Sequence, residues 1–82
     1  MEINDEINII KNTLKKIVFE INQNIIDEDK RLDEELDSFL LIELMTNIEN
    51  YFLINFSPEE FNSENFSNYS ILAKLIREKI AN

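Results

Sequence analysis

Apolar residues recur at helical spacing in three segments of the chain, and no segment alternates with the two-residue period of a strand. In the first segment they lie three or four positions apart, as on one stripe of an amphipathic helix. That stripe consists of Ile3, Ile7, Ile10, Leu14, Ile17 and Ile21. We predict a first helix over about residues 4–20, with Asn4 or Asp5 as the residue that caps its start.

Residues 21–36 are mostly polar and include a charged run, which predicts a long connection after the first helix. Four apolar residues could pin this connection onto the rest of the molecule: Ile25, Ile26, Leu32 and Leu36. The alternative interpretation is that the first helix continues to about residue 30.

A second long helix is predicted over about residues 38–52. Asp37 is a good N-cap residue, and Leu36 before it can pack against Leu41 as a hydrophobic staple. The apolar stripe that follows has spacings of four, three and four, which fits a helix: Leu41, Met45, Ile48 and Phe52.

Pro58 marks a break after that helix, and Ser57 can cap a short turn there. Phe61 and Phe66 bracket a polar stretch that predicts either a short third helix or an irregular turn. Ser67 is then predicted to cap a last helix over about residues 68–80. Its stripe consists of Tyr69, Leu72, Ile76 and Ile80.

These patterns predict an all-α bundle that forms a single domain over residues 1–82. Its predicted core consists of Ile7, Ile10, Leu14, Ile17, Leu41, Met45, Ile48, Phe52, Leu72 and Ile76. The chain lacks cysteine and histidine, which removes disulfides, thiol nucleophiles and the commonest general base. We therefore expect a protein that presents a group or docks to a partner, and not an enzyme.

The formal net charge of −9 predicts repulsion from nucleic acids and anionic membranes, and attraction to basic proteins. The alternative is that the acidic residues only provide solubility. The start of the chain is acidic, unlike a signal peptide, and the longest apolar run, residues 39–42, is too short to span a bilayer. We expect a soluble cytoplasmic monomer.

The sequence favours no metal site. Asp27 and Asp29 begin a pattern that faintly matches a calcium-binding EF-hand loop. The pattern then fails where Arg31, Leu32 and Ser38 replace a ligand, the required glycine and the bidentate glutamate.

Ser38 lies in the first turn of the predicted 38–52 helix, where a hydroxyl has two physical uses. It can cap free backbone N–H groups, or it can carry a phosphate that those groups and the helix dipole stabilise. These physical features alone favour capping.

The residues around Ser38 change this balance. The run Asp37-Ser38-Phe39 followed by Ile42-Glu43-Leu44 resembles the motif Asp-Ser-Leu-x-x-Val/Ile-Glu-Leu of acyl carrier proteins. Farther along, Ile48-Glu49-Asn50-Tyr51-Phe52 resembles that family's Leu-Glu-x-x-Phe stretch, and the Phe66-Ser67 step matches the step before its last helix. The resemblance spans about residues 36–80. Glu34-Glu35 stands where the family usually has a glycine, which affects the predicted shape of the first loop.

The resemblance implies a four-helix bundle with a long first loop and a short third helix. It implies that a phosphopantetheinyl transferase moves 4′-phosphopantetheine from coenzyme A onto Ser38, with Asp37 beside the attachment site. The arm's thiol would hold an acyl or aminoacyl thioester for a loading enzyme and for downstream transferases or synthases. The pathway would be of the fatty-acid, polyketide, nonribosomal-peptide or D-alanylation type. The residues implied to contact these partners are Asp37, Phe39, Glu43 and Glu49.

Two rival hypotheses need no modification. One is an acidic helical interaction module, such as an inhibitor or decoy of a basic protein, and the other is a carrier-like fold that has lost its arm. On cargo, the stretch that contains Phe61 and Phe66 resembles D-alanyl and some peptidyl carriers. These two rings would fill space that an acyl chain needs. We therefore expect an aminoacyl or short acyl cargo held outside the core.

Overall fold

The computed structural model describes residues 2–81, and these residues form helices and turns with no strand among them. The elements, in chain order, are α1 (Ile3–Asn22), α2 (Leu32–Glu35), α3 (Ser38–Phe52), a 3-10 helix (Pro58–Glu60) and α4 (Tyr69–Ala81). The predicted all-α fold is confirmed, and the arrangement is compatible with a small helical bundle. None of the helices within residues 2–81 has the length and apolar composition needed to cross a membrane.

Helix α1 packs against both α3 and α4 and runs antiparallel to them. Arg77, near the end of α4, donates a hydrogen bond to Glu6, near the start of α1, at 3.0 Å. Phe52, at the end of α3, shares a small cavity with Ile9 and Ile10, also near the start of α1. The end of α1 and the first residues of α3 and α4 therefore lie together at the opposite end, which we call the Ser38 end.

The core lies between α1, α3 and α4, and it agrees with most of the predicted residues. Seven large side chains with at most 1% exposure come from three helices: Leu14 and Val18 of α1, Leu44 and Ile48 of α3, and Tyr69, Leu72 and Ile76 of α4. Ile10 and Ile17 are also buried, as predicted, whereas Ile7 is half-buried.

The predicted core stripe of α3 is confirmed in part: Ile48 is fully buried, whereas the other three predicted residues pack only at the edge of the core. Leu44 and Ile48 are fully buried, but Leu41, Met45 and Phe52 are only half-buried. Since α3 is apolar over most of its circumference, periodicity alone did not identify the stripe that faces α1. On α4 the predicted stripe holds as far as Ile76. Ile80 is 50% exposed, because it lies in the last turn.

Two predicted helix caps were also wrong. Asn4 and Asp5 lie inside α1, which begins at Ile3 without a side-chain cap. At the start of α4 the capping oxygen belongs to Asn68, whose Oδ1 accepts a hydrogen bond from Ile71 N at 2.9 Å. Ser67, the predicted cap, is buried and turns its hydroxyl back to the carbonyl oxygen of Glu64 at 2.7 Å.

The connection after α1 is more ordered than predicted. Helix α1 ends at Asn22, and Gln23 has the left-handed φ of 63°, so the alternative of a helix to about residue 30 is wrong. The one-turn helix α2 interrupts the expected loop. Ile26, Leu32 and Leu36 are buried as expected, but Ile25 is 79% exposed.

Three phenylalanines pack together around the 3-10 helix, and we call them the phenylalanine cluster. Phe66 is fully buried and makes edge-to-face contacts with Phe56 and Phe61, at centroid distances of 5.6 and 5.2 Å. Lys79 of α4 forms an ion pair with Glu60 at 2.7 Å and also lies over the Phe56 ring. The predicted third segment is thus a single 3-10 turn followed by further turns, held by aromatic packing.

Candidate functional site

The start of α3 is capped by Asp37, as predicted. Its Oδ1 accepts a hydrogen bond from Leu40 N at 2.8 Å, and its carbonyl oxygen accepts one from Leu41 N at 2.9 Å. Leu36, the preceding residue, is buried and anchors the chain just before the helix. This arrangement holds Ser38 as the first residue of α3.

Ser38 is exposed at this position. Because Asp37 already provides the cap, the Ser38 hydroxyl is not needed for that role. The first N–H groups of an α-helix have no partner within the helix, and they lie at the positive end of the helix dipole. The helix dipole and the N–H groups of Ser38 and Phe39 would stabilise an anion attached to Ser38 Oγ, whereas the neighbouring carboxylates of Asp37, Glu34 and Glu35 would oppose it. The exposed hydroxyl is accessible for attachment of a phosphodiester.

Exposed apolar side chains flank Ser38. Phe39 is 69% exposed and Ile42, one helical turn farther on, is 49% exposed. Residues three apart lie on the same face of a helix, so these two side chains form one apolar surface next to the serine. This small apolar surface is available for contact with a partner.

The acidic residues of α3 lie on different faces and are not equivalent. Successive spacings of six residues separate Asp37, Glu43 and Glu49 around the helix. Asp37 is exposed at the helix start, whereas Glu43 is half-buried. Glu49 lies roughly 16 Å along the axis from Ser38, and its Oε2 accepts a hydrogen bond from Phe56 N at 2.9 Å. Glu49 therefore holds the connection that follows α3.

Two acidic residues that sequence reasoning did not select lie close to Ser38. Glu34 and Glu35 belong to α2, are exposed, and precede Ser38 by only four and three residues. The charged run was visible in the sequence, but its helical turn was not. In contrast to Glu49, neither side chain is tied to the backbone of another segment.

The Ser38 end is held together by hydrogen bonds between distant segments. Leu32 N, at the start of α2, donates to the carbonyl oxygen of Ser67 at 2.7 Å. The Tyr69 hydroxyl donates to the carbonyl oxygen of Ile26 at 2.9 Å. Burial raises the pKa of Tyr69 to about 12, and the nearby negative charges of Glu28 and Asp27 act in the same direction.

An ion-pair network fixes the connection onto α1. Glu28 accepts from Lys11 at 2.5 Å and from Lys15 at 2.9 Å. These hydrogen bonds hold the pKa of Glu28 at about 2, well below its ordinary value of 4.5. Next to α2, Arg31 pairs with Asp33 at 3.0 Å.

Within residues 2–81 no three acidic side chains converge in a way that could hold a metal ion. Comparison with protein-family models gave no match, and comparisons with curated proteins and with solved structures gave no significant match.

Proposed function

We propose that this protein carries an acyl or aminoacyl group as a thioester on a 4′-phosphopantetheine arm attached to Ser38. The observation that carries this proposal is the exposed Ser38 hydroxyl at the first position of α3, beside an Asp37 that provides the cap. In the attachment reaction, Ser38 Oγ forms the new bond to phosphorus and loses its proton to the transferase. The nucleotide part of coenzyme A leaves. When bound, the arm supplies a thiol that the chain itself lacks.

The surroundings of Ser38 fit a partner that must reach this residue. Phe39 and Ile42 provide an apolar contact, while Glu34 and Glu35 provide exposed negative charge on the preceding turn. The apolar contact would supply affinity, and the charge would accelerate encounter with a basic enzyme. In this proposal the steering charge lies mainly before Ser38.

The direct test uses intact-mass measurement after incubation with coenzyme A and a broad-specificity phosphopantetheinyl transferase. The wild type should gain one phosphopantetheine, and Ser38→Ala should gain none. Ser63→Ala, which removes an exposed serine from the turn after the 3-10 helix, should be modified like the wild type. An unmodified wild type, or a modified Ser38→Ala, would reject the proposal.

We further propose that the cargo is an aminoacyl or short acyl group that stays outside the core. The phenylalanine cluster supports this, because Phe66 is fully buried and in contact with Phe56 and Phe61. A long chain inserted there would have to displace aromatic rings from a packed region, which is costly. Loading the arm with a medium-length acyl chain should shift few core amides of α3 and α4. Large chemical-shift changes of these core amides would show that the acyl chain lies inside the bundle, and would reject this part of the proposal.

An acidic interaction module remains the second candidate, and the same surface favours it. Phe39 and Ile42 are exposed on α3 whether or not Ser38 is modified. Such a module would bind a basic protein equally well with Ser38→Ala and poorly with Phe39→Ala. A carrier would lose all cargo transfer with Ser38→Ala, so the two variants separate the hypotheses.

A further inference from the structure

A small cavity opens at the end of the bundle opposite Ser38, and we call it the α1–α4 cavity. Its volume is about 310 Å³, at the lower limit of the range of about 300–1,000 Å³ that is usual for ligand sites. Its apolar lining comes from Ile9 and Ile10 of α1, Phe52 of α3, and Ile80 and Ala81 of α4. Phe52 lies roughly 21 Å along the axis of α3 from Ser38.

Three of these apolar side chains are only partly covered by the rest of the molecule. Ile9 is 52% exposed, Ile80 is 50% exposed, and Phe52 is half-buried. They belong to three different helices, so the folded bundle brings them together. An apolar side chain from another molecule that packed here would remove part of this surface from water, which is favourable.

The two charged residues of the cavity lining neutralise each other. Arg77 Nε of α4 donates a hydrogen bond to Glu6 Oε2 of α1 at 3.0 Å. This ion pair joins the two helices beside the apolar side chains and leaves no net charge in the lining. The cavity itself therefore favours an uncharged, apolar group.

Exposed carboxylates surround this neutral cavity. Glu2 and Asp5 lie within one helical turn of Glu6, and Glu78 follows Arg77 in the last turn of α4. No basic side chain within residues 2–81 forms an ion pair with any of these three carboxylates. Glu78 also lies at the negative end of the α4 dipole, where a carboxylate does not stabilise the helix.

The basic side chains near this end do not offset the three carboxylates. Three of the basic residues already have a carboxylate partner: Lys11 pairs with Glu28, Arg77 with Glu6, and Lys79 with Glu60. Lys74, in the middle of α4, has no such partner among the described residues. Three carboxylates against this one lysine leave a negative field, which attracts a cation and repels an anion.

We propose that the α1–α4 cavity is a docking site for a partner protein segment that presents branched aliphatic side chains flanked by lysine or arginine. The aliphatic side chains cover Ile9 and Ile80, and the basic groups lie near Glu2, Asp5 and Glu78. An apolar, internally neutral cavity with acidic surroundings is complementary to this combination of chemistry.

The position of the site makes it independent of Ser38. Because the cavity and Ser38 lie at opposite ends of the bundle, a partner bound at the cavity leaves Ser38 accessible. A second copy of this chain is a poorer occupant, since each copy carries a formal net charge of −9 and would bring negative charge to negative surroundings.

The first experiment uses the unmodified protein and three short peptides with blocked ends. N-acetyl-Lys-Leu-Leu-Lys-amide has the proposed chemistry, the Glu-Leu-Leu-Glu peptide reverses its charge, and the Lys-Ser-Ser-Lys peptide removes its apolar side chains. In an amide chemical-shift titration at neutral pH and low ionic strength, the first peptide should give saturable shifts confined to residues 2–10, 51–53 and 74–81. The Glu-Leu-Leu-Glu peptide should bind about fivefold more weakly, as expected for two exposed ionic contacts, and the Lys-Ser-Ser-Lys peptide should not saturate.

Two single variants test the apolar part of the site. Ile9→Gln and Ile80→Gln each replace a half-exposed apolar side chain with a polar one, so each should weaken the binding of the Lys-Leu-Leu-Lys peptide while the fold is kept. Phe19→Gln makes the same kind of change at a 48% exposed position near the other end of α1. It should leave the titration unchanged, and an equal loss in all three variants would contradict the location of the site.

A triple variant tests the acidic part of the site. Glu2→Gln, Asp5→Asn and Glu78→Gln together should remove most of the preference for the Lys-Leu-Leu-Lys peptide over the Glu-Leu-Leu-Glu peptide. In the wild type, added salt should reduce the same preference. The matched control removes three exposed carboxylates from the other end of the bundle with Asp29→Asn, Glu34→Gln and Glu35→Gln. This control should retain the preference.

The titrations also identify the outcomes that would overturn the proposal. Equal binding of the Lys-Leu-Leu-Lys and Glu-Leu-Leu-Glu peptides would show that the surrounding charge selects nothing. Shifts elsewhere, or no saturation, would show that the cavity is not the site. Shifts of residues 2–10 and 74–81 that depend on protein concentration without peptide, and that grow with added salt, would show that a second copy of the chain occupies the cavity instead.

Discussion

The Tyr69 hydroxyl donates a hydrogen bond to the carbonyl oxygen of Ile26 at 2.9 Å, and so joins the first residue of α4 to the connection after α1. The two residues are 43 positions apart in sequence, and both are buried. Tyr69→Phe would leave the Ile26 carbonyl unsatisfied, so we expect a loss of about 1–3 kcal/mol in the free energy of unfolding. The difference in unfolding free energy between the wild type and Tyr69→Phe is measured by urea titration. Tyr51→Phe, at a 65% exposed position, should change little, and equal effects would contradict the assignment.

The same tyrosine predicts a loss of stability at alkaline pH. Its pKa rises from 10.0 in the unfolded chain to about 12 in the folded protein. A raised pKa means that the folded state retains the proton, so the contribution to stability is complete below pH 10 and is lost as the pH rises towards 12. The wild type should therefore lose more stability than Tyr69→Phe over this interval, as measured by denaturation at a series of pH values.

The lowered pKa of Glu28 predicts that the connection after α1 becomes less stable at acidic pH. Its pKa is lowered to about 2 by hydrogen bonds from Lys11 and Lys15, so its contribution is complete above its ordinary value of 4.5 and is lost as the pH falls towards 2. Glu28→Gln should accelerate hydrogen exchange of residues 26–30 at neutral pH, and the difference from the wild type should vanish near pH 2. Asp29→Asn is the control in the same connection. If both variants accelerate exchange equally, the ion pairs are not the cause.

Leu53 predicts a stabilising substitution. It follows α3 with a left-handed φ of 57° and is 89% exposed. A non-glycine residue in this conformation costs about 1 kcal/mol, and the exposed side chain contributes little packing. Leu53→Gly should therefore stabilise the protein by up to about 1 kcal/mol in thermal or urea unfolding. Asn55→Gly, at an exposed position without positive φ, should not stabilise it, and a gain there would point to a general effect of glycine.

The difference in burial between Leu44 and Leu41 gives a matched pair of core variants. Leu44 is fully buried and Leu41 is half-buried on the same helix. Leu44→Ala should cost about 2–5 kcal/mol in unfolding free energy, because it leaves a cavity. Leu41→Ala should cost clearly less, because its site is already partly solvated. Equal losses would show that Leu41 contributes as much to the core as Leu44.

Charge reversal tests the position of the steering residues. Glu34→Lys combined with Glu35→Lys should slow the modification of Ser38 about two- to tenfold at low ionic strength, and the deficit should shrink as salt is added. Glu2→Lys combined with Glu78→Lys makes the same change in net charge at the opposite end of the bundle. Similar slowing by both pairs would indicate that only the net charge acts.

The sequence predicted those features that depend on local residues. The spacing of apolar residues placed the three long helices to within about two residues, and Asp37 identified the start of α3 correctly. The one-turn helix α2 was missed, since four residues carry too little periodicity to be recognised. Its position depends on the contact between Leu32 N and Ser67 O, which no local pattern reveals.

The remaining errors arise where two neighbouring residues could serve the same purpose. Ser67 and Asn68 are both good caps, and the choice between them depends on Ser67 being buried next to Phe66. A surface groove between α1 and the connection after it, lined by Phe19 and Ile25, could not be predicted, because it forms only when the connection folds back onto α1.

The structural role of Glu49 limits the substitutions that α3 can accept at its partner-facing residues. Its carboxylate holds Phe56 N, and the Phe56 ring contacts the buried Phe66. A substitution that altered a partner contact through Glu49 would also release the connection that follows α3. Glu34 and Glu35 hold no backbone group of another segment, and Glu34 makes only an exposed ion pair with Arg31 at 4.0 Å, so substitutions there disturb the fold less.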